Sequence, residues 1–311
     1  MKEILKYLKK HLKEDFQWDY YIAITLFLVL CISVNYYLDF EDSILDSYYG
    51  QNIRIFYFFL FYGFAYYGAT FIAVIFKKQK KLLGNPWFWV KSAFILFIIA
   101  LDGAFHHHNE WVRASISPQT QYFVRKVLGN FINIMTMLVP LILFYKWHDR
   151  RLESFYGLSL KGFNYRPYVS MLLIMMVLIG FASFIDNFSD FYPMYKSSLA
   201  HTYFNVQEWV LVLIYELAYG WNFLTIELAF RGFMILSLFT IMGRNAVIPM
   251  VVTYCFYHFG KPAGEAISSI AGGYILGVIA LESRSILGGV MIHIGVAWLM
   301  ELFAWLQQKL F

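Results

Sequence analysis

Only two cysteines occur in the 311 residues, Cys31 and Cys255, and both lie inside apolar segments. A disulfide framework and paired CxxC metal sites are thereby excluded. Charge is equally scarce: Asp, Glu, Lys and Arg make up 14% of the chain, against about a quarter in ordinary soluble domains. The net charge of +5 is dispersed over short loops, so no basic stripe exists with which to hold nucleic acid. No A-x-A-like exit follows the first apolar run, which therefore reads as a retained anchor and not a cleaved signal. An internal repeat is also missing, unlike transporters built from matching halves.

What the chain has in excess is apolar surface. Hydrophobic residues account for 60% of it and aromatic residues for 21%. This composition predicts an all-α, polytopic membrane protein with about eight or nine spans of roughly 20 residues each. Spans are expected at 20–38, 53–76, 87–105, 127–145 and 168–185. Beyond residue 200 come an apolar stretch at 207–242 and segments near 245–258, 265–282 and 285–307. The 207–242 stretch is too long for one straight span at about 1.5 Å per residue, and Gly220 is the expected break. The lipid bilayer is thus the first partner.

The loops alternate in charge. The N-terminus carries five lysines, residues 39–52 carry mostly acids, and KKQKK (77–81) and KWHDRR (146–151) are basic. Counting Lys and Arg near span ends puts the N-terminus, 77–81 and 146–166 in the cytoplasm, here that of a bacterial inner membrane. The lead-in 1–19 places Ile4, Leu5, Leu8 and Leu12 on one helical face among lysines, the pattern of an interfacial helix. Three parts follow: the lead-in 1–19, N-terminal spans in 20–200, and a C-terminal core in 201–311.

That core holds the polar residues that need explaining. In TIELAFRGF (225–233), Glu227 and Arg231 stand in an apolar helix, where each charge costs about 2.5–3.5 kcal/mol on insertion scales. Four residues apart, they share one helical face and can pair. His258 in TYCFYHFGKP and His293 in GGVMIHIGVAW lie on two other expected helices. A carboxylate and two imidazoles suffice to activate water and stabilise an oxyanion. The same groups equally make a polar network that locks helices together. Glu227, His258 and His293 also amount to three zinc ligands with an open position for water.

Lesser candidates surround them. Cys255, three residues before His258, is either half of a thiol–imidazole pair or a small packing residue. In DGAFHHHNE, Asp102, His106 and Glu110 recur every four residues and either converge on a divalent ion or form a solvated turn. Glu216 is a further acid in apolar surroundings and a possible outer partner of Glu227.

Taken in order, I-E-L-A-F-R (226–231), Y-C-F-Y-H (254–258) and H-I-G-V-A (293–297) resemble the motifs of the CPBP (Abi) family, the type II CAAX proteases and bacteriocin-processing membrane proteins. The family pattern is Glu-Glu-x-x-x-Arg, Phe-x-x-x-His and His-x-x-x-Asn, and the resemblance covers about 205–305. It implies a membrane endopeptidase acting on a peptide or membrane-protein substrate. Glu227 and His258 would activate water, His293 would stabilise the oxyanion and Arg231 would hold Glu227 ionised. Metal use is left open, since family members have been treated both as metalloproteases and as metal-free glutamate enzymes. Three positions depart from the pattern. Ile226 replaces the first glutamate, Ala297 the final asparagine, and Tyr254 the phenylalanine, the last expected to matter least. An inactive scaffold or chaperone on the same core is therefore the alternative, and an ion-coupled transporter a second one.

Overall fold

The computed structural model describes residues 1–184 and 186–310, and these are helical with no strand among them. Among the described residues, seven helical runs are long and apolar enough to cross a membrane: Trp18–Leu38, Ile53–Phe76, Pro86–Ser115, Pro118–Asp149, Glu208–Phe256, Ala263–Ser283 and Leu287–Leu310. Arg166–Ala182 is a shorter apolar helix. We label α1 Lys2–Asp15, α2 Trp18–Leu38, α3 Ile53–Phe76, α4 Pro86–Ala104 and α5 His107–Ser115. Next come α6, Pro118–Phe131, which widened turns prolong to Asp149, and α7, Arg166–Ala182. The C-terminal core is α8 Glu208–Glu227, α9 Val247–Phe256, α10 Ala263–Ser283 and α11 Leu287–Leu310.

The long 207–242 stretch is not broken at Gly220. Helix α8 runs through it, and the irregularity comes later, as π-type turns over Leu228–Ser237. Gly220 serves packing instead: a Cβ there would stand 3.1 Å from Cζ2 of Trp298 and 3.4 Å from Ile294. Its missing side chain lets α8 and α11 lie close, as small residues do between membrane helices.

The lead-in helix is seated on the bundle. Ile4 is buried in a cluster with Tyr168, Leu276, Ile279 and Ile292, so α1 packs on the helical core, while Leu5 and Leu12 stay exposed. Its polar residues hold it there: Lys10 Nζ pairs with Glu282 at 2.7 Å, Arg244 pairs with Glu14 at 2.7 Å, and Lys77 pairs with Asp15 at 2.5 Å. The N-terminus, the 77–85 turn, the 243–246 turn and the end of α10 therefore share one side of the bundle. On the opposite side, His107 bonds Asn52 at 3.0 Å, Tyr192 bonds Glu265 at 2.9 Å, and Asn35 bonds the Phe259 carbonyl at 3.2 Å. The basic loops fall together because each span reverses the chain.

A second charged pair, which the sequence patterns do not single out, ties the N-terminal spans to the core. Lys91 on α4 lies 2.6 Å from Asp149, and both are buried. Ser237 closes the group, accepting from Lys91 at 2.9 Å and donating to Asp149 at 2.5 Å. Removing one member of a buried pair leaves an uncompensated charge. Asp149→Ala should cost about 3–5 kcal/mol, read as a large fall in melting temperature of the detergent-solubilised protein; an unchanged melting temperature would show that Lys91 finds another partner.

The Lys and Arg count gives the orientation its test. On a background with Cys31 and Cys255 replaced, single cysteines at Lys78 and Arg150 should resist an impermeant thiol reagent in intact cells, and one at Asp42 should react. The reverse labelling pattern would turn the molecule over.

Candidate functional site

Three core helices supply the site. Glu227 ends the regular part of α8, and Arg231 follows one turn later in the π-type segment, a local form common at functional positions. Both side chains have no solvent exposure. Arg231 Nη1 is 3.0 Å from Glu227 Oε1, close enough to pair yet off the line of a good hydrogen bond. None of the three guanidinium nitrogens has an aligned acceptor. The charge is compensated sideways too, because the guanidinium carbon lies 4.2 Å from the Tyr254 ring centre, a cation–π arrangement.

The same carboxylate oxygen reaches α11. His293 Nδ1 is 3.1 Å from Glu227 Oε1, and the Tyr254 hydroxyl is 3.1 Å from His293 Nε2. A carboxylate only accepts, so Nδ1 carries the imidazole proton and Nε2 accepts from Tyr254. This is the carboxylate–imidazole orientation of hydrolytic triads, in which the acid fixes the tautomer. Phe223, one turn before Glu227, packs its ring 4.3 Å from the imidazole and fixes its plane.

His258 is placed differently from expectation. It lies just beyond α9, and its Nδ1 is 2.8 Å from the Tyr254 carbonyl, which leaves Nε2 as an acceptor. Its ring sits 4.5 Å from that of Tyr254. Glu227 thus meets His293 directly and meets His258 only through Tyr254. The turn after His258 is held by α2, through Asn35 on the Phe259 carbonyl and Tyr36 on the Lys261 carbonyl at 2.8 Å. Beside this turn, in the loop after α2, the Glu41 carboxyl lies against Gly260. Burial, then Asp46, raises its pKa to about 8.

The remaining candidates separate. Ile226 and Ala297 are buried in the hydrophobic core. The Cys255 thiol donates to the Ala266 carbonyl at 3.5 Å, so it forms no pair with His258. Glu216 sits beside Glu301, three helical turns from Glu227, and is not its partner. Asp102 bonds Thr136 instead of joining His106 and Glu110, because α4 ends at Ala104 and the four-residue spacing does not run along one helix. Among the described residues, the groups with three ligand atoms within 4.8 Å of one another are His106, His107, Glu110 and Glu41, Asp42, Asp46. Glu227, His258 and His293 are not such a group, and both His293 nitrogens are already engaged. As arranged here they do not fit a zinc ion.

Two residues that sequence patterns undervalue complete the site. Tyr254 stands where the family pattern has phenylalanine, and its hydroxyl, far from matters-least, bridges α9 to His293. A polar tip on an otherwise apolar helix has to find a partner, which was the available signal. Gly289 is the other: a Cβ there would fall 2.2 Å from Glu227 Oε2.

With this geometry in hand, the comparison with known families is specific. Residues 222–299 match the family model of the type II CAAX prenyl endopeptidase Rce1-like proteins. That segment contains Glu227, Arg231, Tyr254, His258, His293 and Ala297, and the match supports a CPBP-type helical core in an integral membrane protein. No curated protein and no solved structure matches the chain.

The Rce1-like segment makes one packing prediction. Gly289→Ala inserts a methyl where the pinned Glu227 carboxylate lies, and overpacking of this kind costs about 1–3 kcal/mol. The melting temperature should drop accordingly, whereas Gly264→Ala, in open space at the start of α10, should lower it less. Equal effects would mean that the carboxylate moves aside freely.

Proposed function

We propose that the protein is a membrane-embedded endopeptidase in which Glu227 and His293 act as a dyad on water. The observation that carries this reading is the 3.1 Å contact between Glu227 Oε1 and His293 Nδ1 across two helices, inside the segment that an endopeptidase family model matches. Glu227 holds the tautomer and stabilises the imidazolium as it forms. His293 Nε2 takes the proton of a water that attacks the scissile carbonyl carbon, and later returns it to the leaving amine. The Tyr254 hydroxyl, released from Nε2 when the water enters, is a donor for the developing oxyanion. Arg231 keeps Glu227 ionised, and the Nε2 of His258 is a second acceptor on the other face of Tyr254. The substrate is a peptide or membrane-protein segment reaching the bundle from the lipid, and His293, part-exposed between α8 and α11, is the point of approach. Glu227, His258 and His293 do not gather at one point, so the mechanism rests on the dyad.

These roles differ from those implied by the family motifs, where glutamate works with the histidine of the second motif. The shift follows from Ile226: without the first glutamate, the remaining carboxylate is spent on His293 and Arg231.

A second reading is favoured by one observation, the closure of the polar circuit. Arg231, Glu227, His293 and Tyr254 contact one another in sequence across α8, α9 and α11, which is also how a non-catalytic helix lock is built. His293→Gln separates the two readings. It leaves the buried Glu227–Arg231 pair intact but removes the base, so cleavage of a quenched fluorescent peptide library by the reconstituted protein should fall about 10²–10⁴-fold while the protein still purifies as a folded monodisperse species. Ile226→Glu restores the paired motif and should raise cleavage. If the wild type cleaves nothing in the library and Ile226→Glu gains nothing, the lock is the function of the circuit.

A further inference from the structure

Away from this site, on the face opposite the N-terminus, the start of α5 and the residue before it gather two imidazoles around one carboxylate. We propose that His106, His107 and Glu110 bind a divalent transition-metal ion, zinc first among them, independently of the Glu227 site. His106 Nδ1 is 3.3 Å from the Ala104 carbonyl, and His107 Nε2 is 3.0 Å from Asn52 Oδ1. Both partners are acceptors, so each of those nitrogens carries the proton and the other nitrogen of each ring carries a lone pair. The two lone pairs point at the same group: His106 Nε2 is 3.8 Å from Glu110 Oε1, and His107 Nδ1 is 3.4 Å from Glu110 Oε2. Three facing acceptors repel one another until a proton on an imidazole or a metal cation lies among them.

The dimensions fit a metal. All three ligand atoms lie within 4.8 Å of one another. Ligands about 2.1 Å from a tetrahedral ion stand about 3.4 Å apart, close to the separations here. The far nitrogens held by carbonyl oxygens are the arrangement that orients metal-binding histidines. His106 is buried against Tyr49, with ring centres 6.2 Å apart, while His107 and Glu110 are open to solvent and leave a coordination position for water. Because Asn52 precedes α3 and the imidazoles bracket the start of α5, a bound ion would tie the ends of α3, α4 and α5 together.

The full-length protein in detergent micelles, stripped with a chelator and titrated with zinc chloride against a chromophoric competitor, tests this directly. One zinc should bind per chain, with X-ray absorption showing two imidazoles in its shell. Glu110→Ala and His107→Ala should each weaken binding by at least about tenfold, the scale on which even outer partners of metal ligands act. Both side chains are exposed, so gel filtration should show the fold unchanged. Asp42→Asn, in the separate Glu41–Asp42–Asp46 group, should leave the affinity where it was. Absence of zinc uptake, affinity unmoved by both α5 variants, or loss only with Asp42→Asn would each overturn the proposal.

Discussion

Burying a guanidinium without any contact to water is the constraint around which the C-terminal core is organised. Arg231 has no exposure, and neither has its partner Glu227. An unpaired charge at this depth costs about 3–5 kcal/mol, whereas a typical interhelical hydrogen bond in a membrane contributes about 0.6 kcal/mol. The pair therefore outranks a neutral hydrogen bond between helices and stands with the buried Lys91–Asp149 pair. Features that look unrelated in the chain serve it: the π-type turns after Glu227, the ring of Tyr254 under the guanidinium, and the missing side chain at Gly289 that leaves room for the second carboxylate oxygen.

Once Oε1 of Glu227 is fixed by Arg231, it has one direction left, and His293 occupies it. That contact sets the imidazole tautomer, and the tautomer in turn explains why the Tyr254 hydroxyl meets Nε2. His258 is held by a different device, the Tyr254 main-chain carbonyl, with α2 bracing the turn behind it. Tyr254 thus joins two histidines that make no direct contact, its hydroxyl on one and its carbonyl on the other.

Much of this was readable from the chain because the signals are local. Span positions follow from apolar run length, the shared side of the basic loops from charge next to span ends, and the pairing of Glu227 with Arg231 from helical periodicity. Contacts set by three-dimensional packing were not readable. Gly220 looked like a helix break and is a contact point for Trp298; Glu216 looked like a neighbour of Glu227 and lies three turns away beside Glu301. Lys91 and Asp149 are 58 residues apart, a separation at which sequence spacing carries no geometric information. Likewise His106 and His107 of DGAFHHHNE converge with Glu110 but not with Asp102, because the helix ends between them.

Charge balance explains how Ile226 can coexist with an intact Glu227–Arg231 pair. In a medium of low effective dielectric, two adjacent carboxylates facing one guanidinium carry a net negative charge, and one of them then has to hold a proton. With isoleucine at 226 the buried charges sum to zero, neither side chain needs a proton to be neutralised, and the carboxylate is free to polarise an imidazole instead. His293 is 13% exposed where Glu227 and Arg231 have none, so in the proposed mechanism it is the member placed to exchange a proton with water.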